Sequence, residues 1–187
     1  MKDAEFIRLA LSNPVNREIL ARLPALELED VWLVSGSLFQ TIWNEMAGRE
    51  PGYGIKDYDI FYFDPDTSWE AEDAAIKKAA KLFDDLDVEI ELKNQARVHL
   101  WYRERFGLDY PALSSSCAGI DRFLAPACMV GLQLVNGEFN VYAPCGLSDI
   151  ENMTIRPNRT SNFGADAYRD KAARWKSLWP ELTIIEP

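Results

Sequence analysis

The sequence predicts an α/β (α+β) fold, and three observations carry that reading. A short apolar run, Val31-Trp32-Leu33-Val34, breaks at Ser35-Gly36-Ser37 and passes into a helical pattern. A second apolar run, Ile60 to Phe63, is led in by Asp57 and Asp59. A third segment, VEIEL, alternates strictly: Val88, Ile90 and Leu92 fall on one face and Glu89 and Glu91 on the other.

Taken in order, Asp3 to Leu23 reads as helical, with a break at Asn13-Pro14 and a stop at Pro24. Asp30 to Val34 is a strand apolar enough to be covered on both faces. Gly36 permits a tight turn, and Leu38 to Met46 follows as a helix with Leu38, Ile42 and Met46 on one face. Gly48 to Ile55, with three glycines and a proline, reads as a mobile loop. Tyr58 to Phe63 is the next strand, closed by Pro65. Thr67 or Ser68 caps a helix running to about Leu86, with Ala75, Ala79, Leu82 and Phe83 inward. Val88 to Leu92 is the third strand, and the alternation from Arg97 to Tyr102 reads as its continuation. Asn136-Gly137 between two apolar runs is a hairpin signal. Ala165 to Trp179 is a final helix with Tyr168, Ala172 and Trp175 inward. No linker interrupts this order, so residues 1–187 read as one domain, with a core over about 1–109 and a C-terminal hairpin-and-helix elaboration over about 110–187.

Composition narrows the classes. The chain has 187 residues, 48% hydrophobic and 27% charged, an ordinary globular balance. Its formal net charge of −10 disfavours a long duplex nucleic acid as partner but leaves room for a local basic pocket that binds one nucleotide. No apolar stretch reaches membrane-span length, and the acidic N-terminal segment lacks the apolar core of a signal peptide. Three cysteines without close spacing read as reduced, buried thiols of a cytoplasmic protein. One histidine, His99, excludes a multi-histidine metal site.

The chemistry-bearing residues are acids. Asp57 and Asp59 alternate along a strand, so both carboxylates leave one face, about 7 Å apart at ~3.3 Å per residue. If the third strand pairs beside them, Glu91 completes a three-carboxylate cluster, with Glu89 the alternative third acid. Such a cluster repels itself, and Mg²⁺, or Mn²⁺ in its place, relieves the repulsion while bridging triphosphate oxygens. Gly36 and Ser37 open a helix whose free N–H groups suit an anion. Lys56 neighbours Asp57 and pairs with it or with phosphate, and Arg97 is a candidate phosphate clamp. Trp101 and Tyr102 read as core, while Arg103, Glu104 and Arg105 read as a solvated face.

Gly36-Ser37 followed by Asp57-Tyr58-Asp59-Ile60 resembles the signature of the nucleotidyltransferase superfamily typified by DNA polymerase beta. KDYDIFYFD at 56–64, NQARVHLWYRERFG at 94–107, APCGLSDI at 143–150 and RPN at 156–158 resemble a bacterial group of nucleotidyltransferase-like proteins over nearly the whole chain. The resemblance implies a mixed sheet flanked by helices, metal-binding aspartates at 57 and 59, and a third acid at 91. One departure is the long gap from Ser37 to Asp57, which makes Gly48–Ile55 an insertion that either covers the site as a lid or blocks it.

The function expected is therefore Mg²⁺-dependent transfer of a nucleoside monophosphate from an NTP to a hydroxyl acceptor, with release of pyrophosphate. The acceptor is a small molecule, an RNA end or a protein side chain. The rival readings are a nucleotide- or protein-binding module on the same fold, without turnover, and a phosphohydrolase using the same acids.

Overall fold

The computed structural model describes residues 1–187. Two short helices open the chain: α1 (Asp3–Ala10) and α2 (Pro14–Arg22). Asn13 separates them, its side chain accepting from the Val15 N–H, with Pro14 in the first helical position where its missing N–H costs nothing. Strand β1 (Trp32–Val34) leads into α3 (Gly36–Met46), β2 (Tyr58–Tyr62), α4 (Trp69–Leu82), β3 (Ile90–Asn94) and α5 (Val98–Phe106). The C-terminal part supplies the short α6 (Ser116–Ile120), the hairpin β4 (Gly131–Val135) and β5 (Glu138–Tyr142), α7 (Ser148–Glu151), β6 (Thr154–Ile155), α8 (Ala165–Leu178) and β7 (Thr183–Ile184).

Five strands form one mixed sheet in the order β3-β2-β1-β4-β5. β1 runs antiparallel to β2 and β4, β4 antiparallel to β5, and β2 parallel to β3. β6 and β7 pair apart from it as a two-stranded parallel ladder. The hairpin turn has positive φ at both Asn136 (52°) and Gly137 (83°), the backbone that an Asn-Gly pair favours.

Both faces of the sheet are covered, as the apolar run at 31–34 requires. Leu33, Ile60, Tyr58, Tyr62, Leu92 and Leu132 join the main core, which also takes Phe6 from α1, Phe39 and Trp43 from α3, and Trp175 and Trp179 at the C-terminal end. On the opposite face Trp32, Val34 and Phe61 pack with Ile120 and Met129. α3 is buried at every position from Ser37 to Asn44, four of them polar (Ser37, Gln40, Thr41 and Asn44); Met46, expected inward, is 49% exposed at its end.

α8 docks on α3 through aromatic edges: Phe39–Trp175 at 5.5 Å and Trp43–Trp179 at 5.5 Å between ring centroids. The Trp179 indole N–H donates to Asn44 Oδ1 at 2.9 Å, and the Asn44 amide donates to the carbonyls of Pro51 (3.0 Å) and Tyr53 (2.8 Å). Arg174 donates to the Gly54 carbonyl at 2.9 Å. Gly54 has φ +70°, and a Cβ there would lie 2.9 Å from the Trp179 ring, so neither backbone nor space admits a side chain. The segment 48–55 is thus fastened to α3 and α8. The expectation of a mobile loop does not hold, because its carbonyls are used by Arg174, 120 residues away, as well as by nearby Asn44.

Two elements differ from the sequence expectation. The third strand begins at Ile90 and runs on through Lys93 to Asn94, because its pairing with β2 extends to Tyr62↔Asn94. Residues 98–106 are helical, where alternation suggested a strand. Asn94 ends the strand: its side-chain oxygen accepts from the N–H groups of Asp64 and Ala96, turning the chain before α5. Of the cysteines, Cys128 is buried, Cys117 half-buried and Cys145 exposed, so only one is the buried thiol expected of all three. No helix is long and apolar enough to cross a membrane.

Candidate active site at the start of strands β2 and β3

The parallel register sets Asp59 directly beside Glu91, and Val34 opposite Asp59 on the other side. Asp57, two residues upstream, leaves the same face as Asp59. Register therefore selects Glu91, and not Glu89, as the neighbour of the aspartates; Glu89 is exposed, and its backbone carbonyl accepts from the Tyr58 N–H. Asp57, Asp59 and Glu91 line one open cleft of about 820 Å³ that wraps the free edge of β3. No residue of the 48–55 segment lines it, so that segment neither lids nor blocks the acids.

Lys93, two residues beyond Glu91 on the same face, was not a sequence candidate. Its ammonium lies 3.5 Å from the Asp59 carboxylate and hydrogen-bonds Glu91. The signal was available: once the strand is carried to Asn94, residues 91 and 93 must share a side. Burial raises the Asp59 carboxyl from its ordinary value of 3.8 to about 6, the Lys93 ammonium opposing this and the charges of Asp57 and Glu91 adding to it. Glu91 goes the other way: its hydrogen bond to Lys93 holds it below the ordinary glutamate value. For Lys93 burial lowers the ammonium, but Asp59 and Glu91 together outweigh that and raise it.

These residues suit a hard divalent cation in their donor type, since all three are oxygen ligands in one cleft. No three of them close around a single point as they stand. Mg²⁺ does not need such a cage: it is usually held by one or two carboxylates together with substrate phosphates. The raised Asp59 carboxyl marks a place where added positive charge is favoured, and Lys93 is the chain's own partial answer to it.

The turn residues take a different place. Ser35 adopts φ 56°, ψ −113°, a backbone region rarely open to side chains, and its N–H is fixed by the Val130 carbonyl at 2.9 Å. Gly36 and Ser37 begin α3, so their N–H groups lie in a first turn without intrahelical acceptors. A Cβ on Gly36 would come within 3.0 Å of the Gln40 amide nitrogen. The Ser37 hydroxyl is fully buried and without a partner, and neither residue lines the cleft, although the β1–β2 register puts the turn at the same end of the sheet as Asp57.

Two further candidates stand apart. Lys56 is exposed and opens to a separate depression of about 490 Å³ with Tyr58 and Glu89, reaching Glu91 only through its field. Arg97 lies against Glu72, Nε to Oε2 at 2.7 Å, an ion pair without hydrogen-bond alignment. Its guanidinium also donates to the Thr67 carbonyl and sits 5.7 Å from the Trp69 ring. The side chains of Arg97 and Glu72 are only 11% and 8% exposed, so Arg97 is committed to tying α4 to the start of α5 rather than free to clamp a phosphate.

Other cations face the acids instead. Lys171 of α8 lines the cleft and acts on Asp59, while Arg105 lines it from α5 and acts on Glu91; Arg122 lines it too. Trp101 and Tyr102, expected in the core, are half-buried cleft residues, and Arg105 belongs to the site rather than to a plain solvated face.

A mixed sheet flanked by helices is the scaffold that the resemblance implied. A nucleotidyltransferase family model matches residues 21–184, and the chain belongs to that family. It is also similar to a solved NMR structure described as revealing a CCA-adding enzyme head domain, with 26% identity, a TM-score of 0.77, and coverage of 100% of this chain and 97% of the other. No curated protein matches the chain. The chain is a nucleotidyltransferase, of mixed α/β fold with helices flanking a mixed sheet.

Proposed function

We propose that the protein transfers a nucleoside monophosphate from an NTP to a hydroxyl acceptor, with departure of pyrophosphate, in the cleft at β2 and β3. The observation that carries this is the Asp59↔Glu91 register, which gathers both aspartates and the glutamate on one cleft wall. Asp57 and Asp59 would hold Mg²⁺ (or Mn²⁺), and Glu91 would complete the set or accept the proton of the attacking hydroxyl. When bound, the divalent ion would neutralise charge on the phosphates and polarise the transferred phosphoryl group.

The remaining work falls to this chain's own groups. Gly36 and Ser37 present first-turn N–H groups at the acids' end of the sheet, suited to a terminal phosphate. Lys171 and Arg122, which line the same cleft, offset phosphate charge. Lys93 holds Asp59 and Glu91 in place until the substrate arrives and then has phosphate oxygens as alternative partners. Packing of the cleft by Phe123 and Leu124 limits water around the reacting groups.

Calorimetric titration of the full chain with NTP and Mg²⁺ tests the reading. Wild type should bind the nucleotide in a metal-dependent manner, and Asp57→Ala/Asp59→Ala should lose that dependence. Equal binding by the double variant, or none by wild type, removes the reading.

A further inference from the structure

We propose that the α5 wall of the cleft is a nucleobase-stacking subsite, an inference that rests on the nucleotidyl-transfer reading and names where the substrate's base sits. α5 buries only Val98, so its aromatic residues are not there to build the core. Phe106 is 50% exposed and Trp101 half-buried, whereas Phe39, Trp43 and Trp179 in the core are fully buried. Trp101, Tyr102 and Phe106 all line the same cleft as the acids. Tyr102 is held from both sides, 4.7 Å from the Phe106 ring and 4.4 Å from Tyr110, which braces the wall.

Charge selects the occupant. Arg105 lies 5.9 Å from the Trp101 ring and 5.3 Å from the Phe106 ring, a flat cation against two flat apolar faces. It also reaches Glu91 through its field, so the aromatic wall adjoins the carboxylates. Lys171 and Arg122 line the same cleft. A ligand satisfying all of these groups has a flat aromatic part for the α5 rings and a polyanionic part for Arg105, Lys171 and Arg122. That is a nucleotide, and because every base has a π-face the wall accepts any of them. The base belongs either to the donor NTP or to the terminal nucleotide of an acceptor strand.

The test measures binding of three probes to the full chain in Mg²⁺: ATP, inorganic tripolyphosphate and a single-stranded RNA trinucleotide with a free 3′-hydroxyl. Trp101→Ala and Phe106→Ala should weaken ATP or the trinucleotide at least about fivefold, the low end for loss of one base stack, with tripolyphosphate unchanged. Trp101→Phe, which keeps a ring, should bind within about twofold of wild type. Whichever probe moves identifies the base as the donor's or the acceptor's. Neither ring is part of the buried core, and equal melting temperatures confirm that the variants fold. Unchanged binding of both nucleotides, or a parallel loss for tripolyphosphate, overturns the subsite. Metal-dependent NTP binding that survives Asp57→Ala/Asp59→Ala would instead overturn the nucleotidyl-transfer reading, so the two failures are distinct.

Discussion

Asp59→Asn should stabilise the metal-free protein at neutral pH, and the size of the effect follows from the site. The native carboxyl sits at about 6 against an ordinary 3.8, about two pK units at 1.36 kcal/mol each, or roughly 3 kcal/mol. The side chain is 21% exposed, so roughly 2 kcal/mol is a fairer expectation. The sign is fixed by linkage. A raised native value means that the folded state holds the proton more tightly than the unfolded chain, so wild type loses stability as pH rises from about 4 to about 6 and carries the full cost above that. Asparagine does not titrate and keeps nearly the same shape. Urea unfolding in EDTA should therefore show the variant ahead by roughly 2 kcal/mol at pH 8 and level with wild type near pH 4. Added Mg²⁺ should reverse the order, since an ion at 100 times its dissociation constant stabilises the binding form by about 2.7 kcal/mol and the variant lacks a ligand. A variant no more stable than wild type at pH 8, or a difference that ignores pH, would mean that the buried Asp59 carboxylate carries no such cost.

Arg97→Ala should cost roughly 3 kcal/mol in urea unfolding, because it leaves Glu72 charged and only 8% exposed, while the folded variant keeps wild-type NTP affinity. A selective loss of nucleotide binding would restore Arg97 as a phosphate clamp. Gly54→Ala should cost roughly 1–3 kcal/mol, from its φ of +70° and the 2.9 Å approach to Trp179. A thermal melt within a degree of wild type would show that the 48–55 segment is looser than its hydrogen bonds imply.

The strands that carry the acids were legible because their signals are local. Period-two alternation puts Asp57 with Asp59, and a glycine-serine break after an apolar run marks the turn. Register across the β2–β3 pair is not local, so Lys93 beside Asp59, and the choice of Glu91 over Glu89, had to come from the paired strands. α5 was misread because its first residues alternate in polarity, and a short apolar pattern does not separate strand from helix; Asn94 decided it through a side-chain turn. The fastening of 48–55 depends on Arg174 and Trp179, far along the chain, which no composition rule for loops contains. β6 and β7 are two residues each, too short for any periodicity.

Nucleotidyl transfer by this protein rests on Asp57, Asp59 and Glu91. Quantifying the phosphorus products formed from an NTP, Mg²⁺ and a pool of hydroxyl acceptors tests it most directly. Pyrophosphate should form in equal amount to the nucleoside monophosphate attached to acceptor, and Asp57→Asn/Asp59→Asn should give neither product. Release of orthophosphate in place of pyrophosphate, or full turnover by that variant, would contradict it.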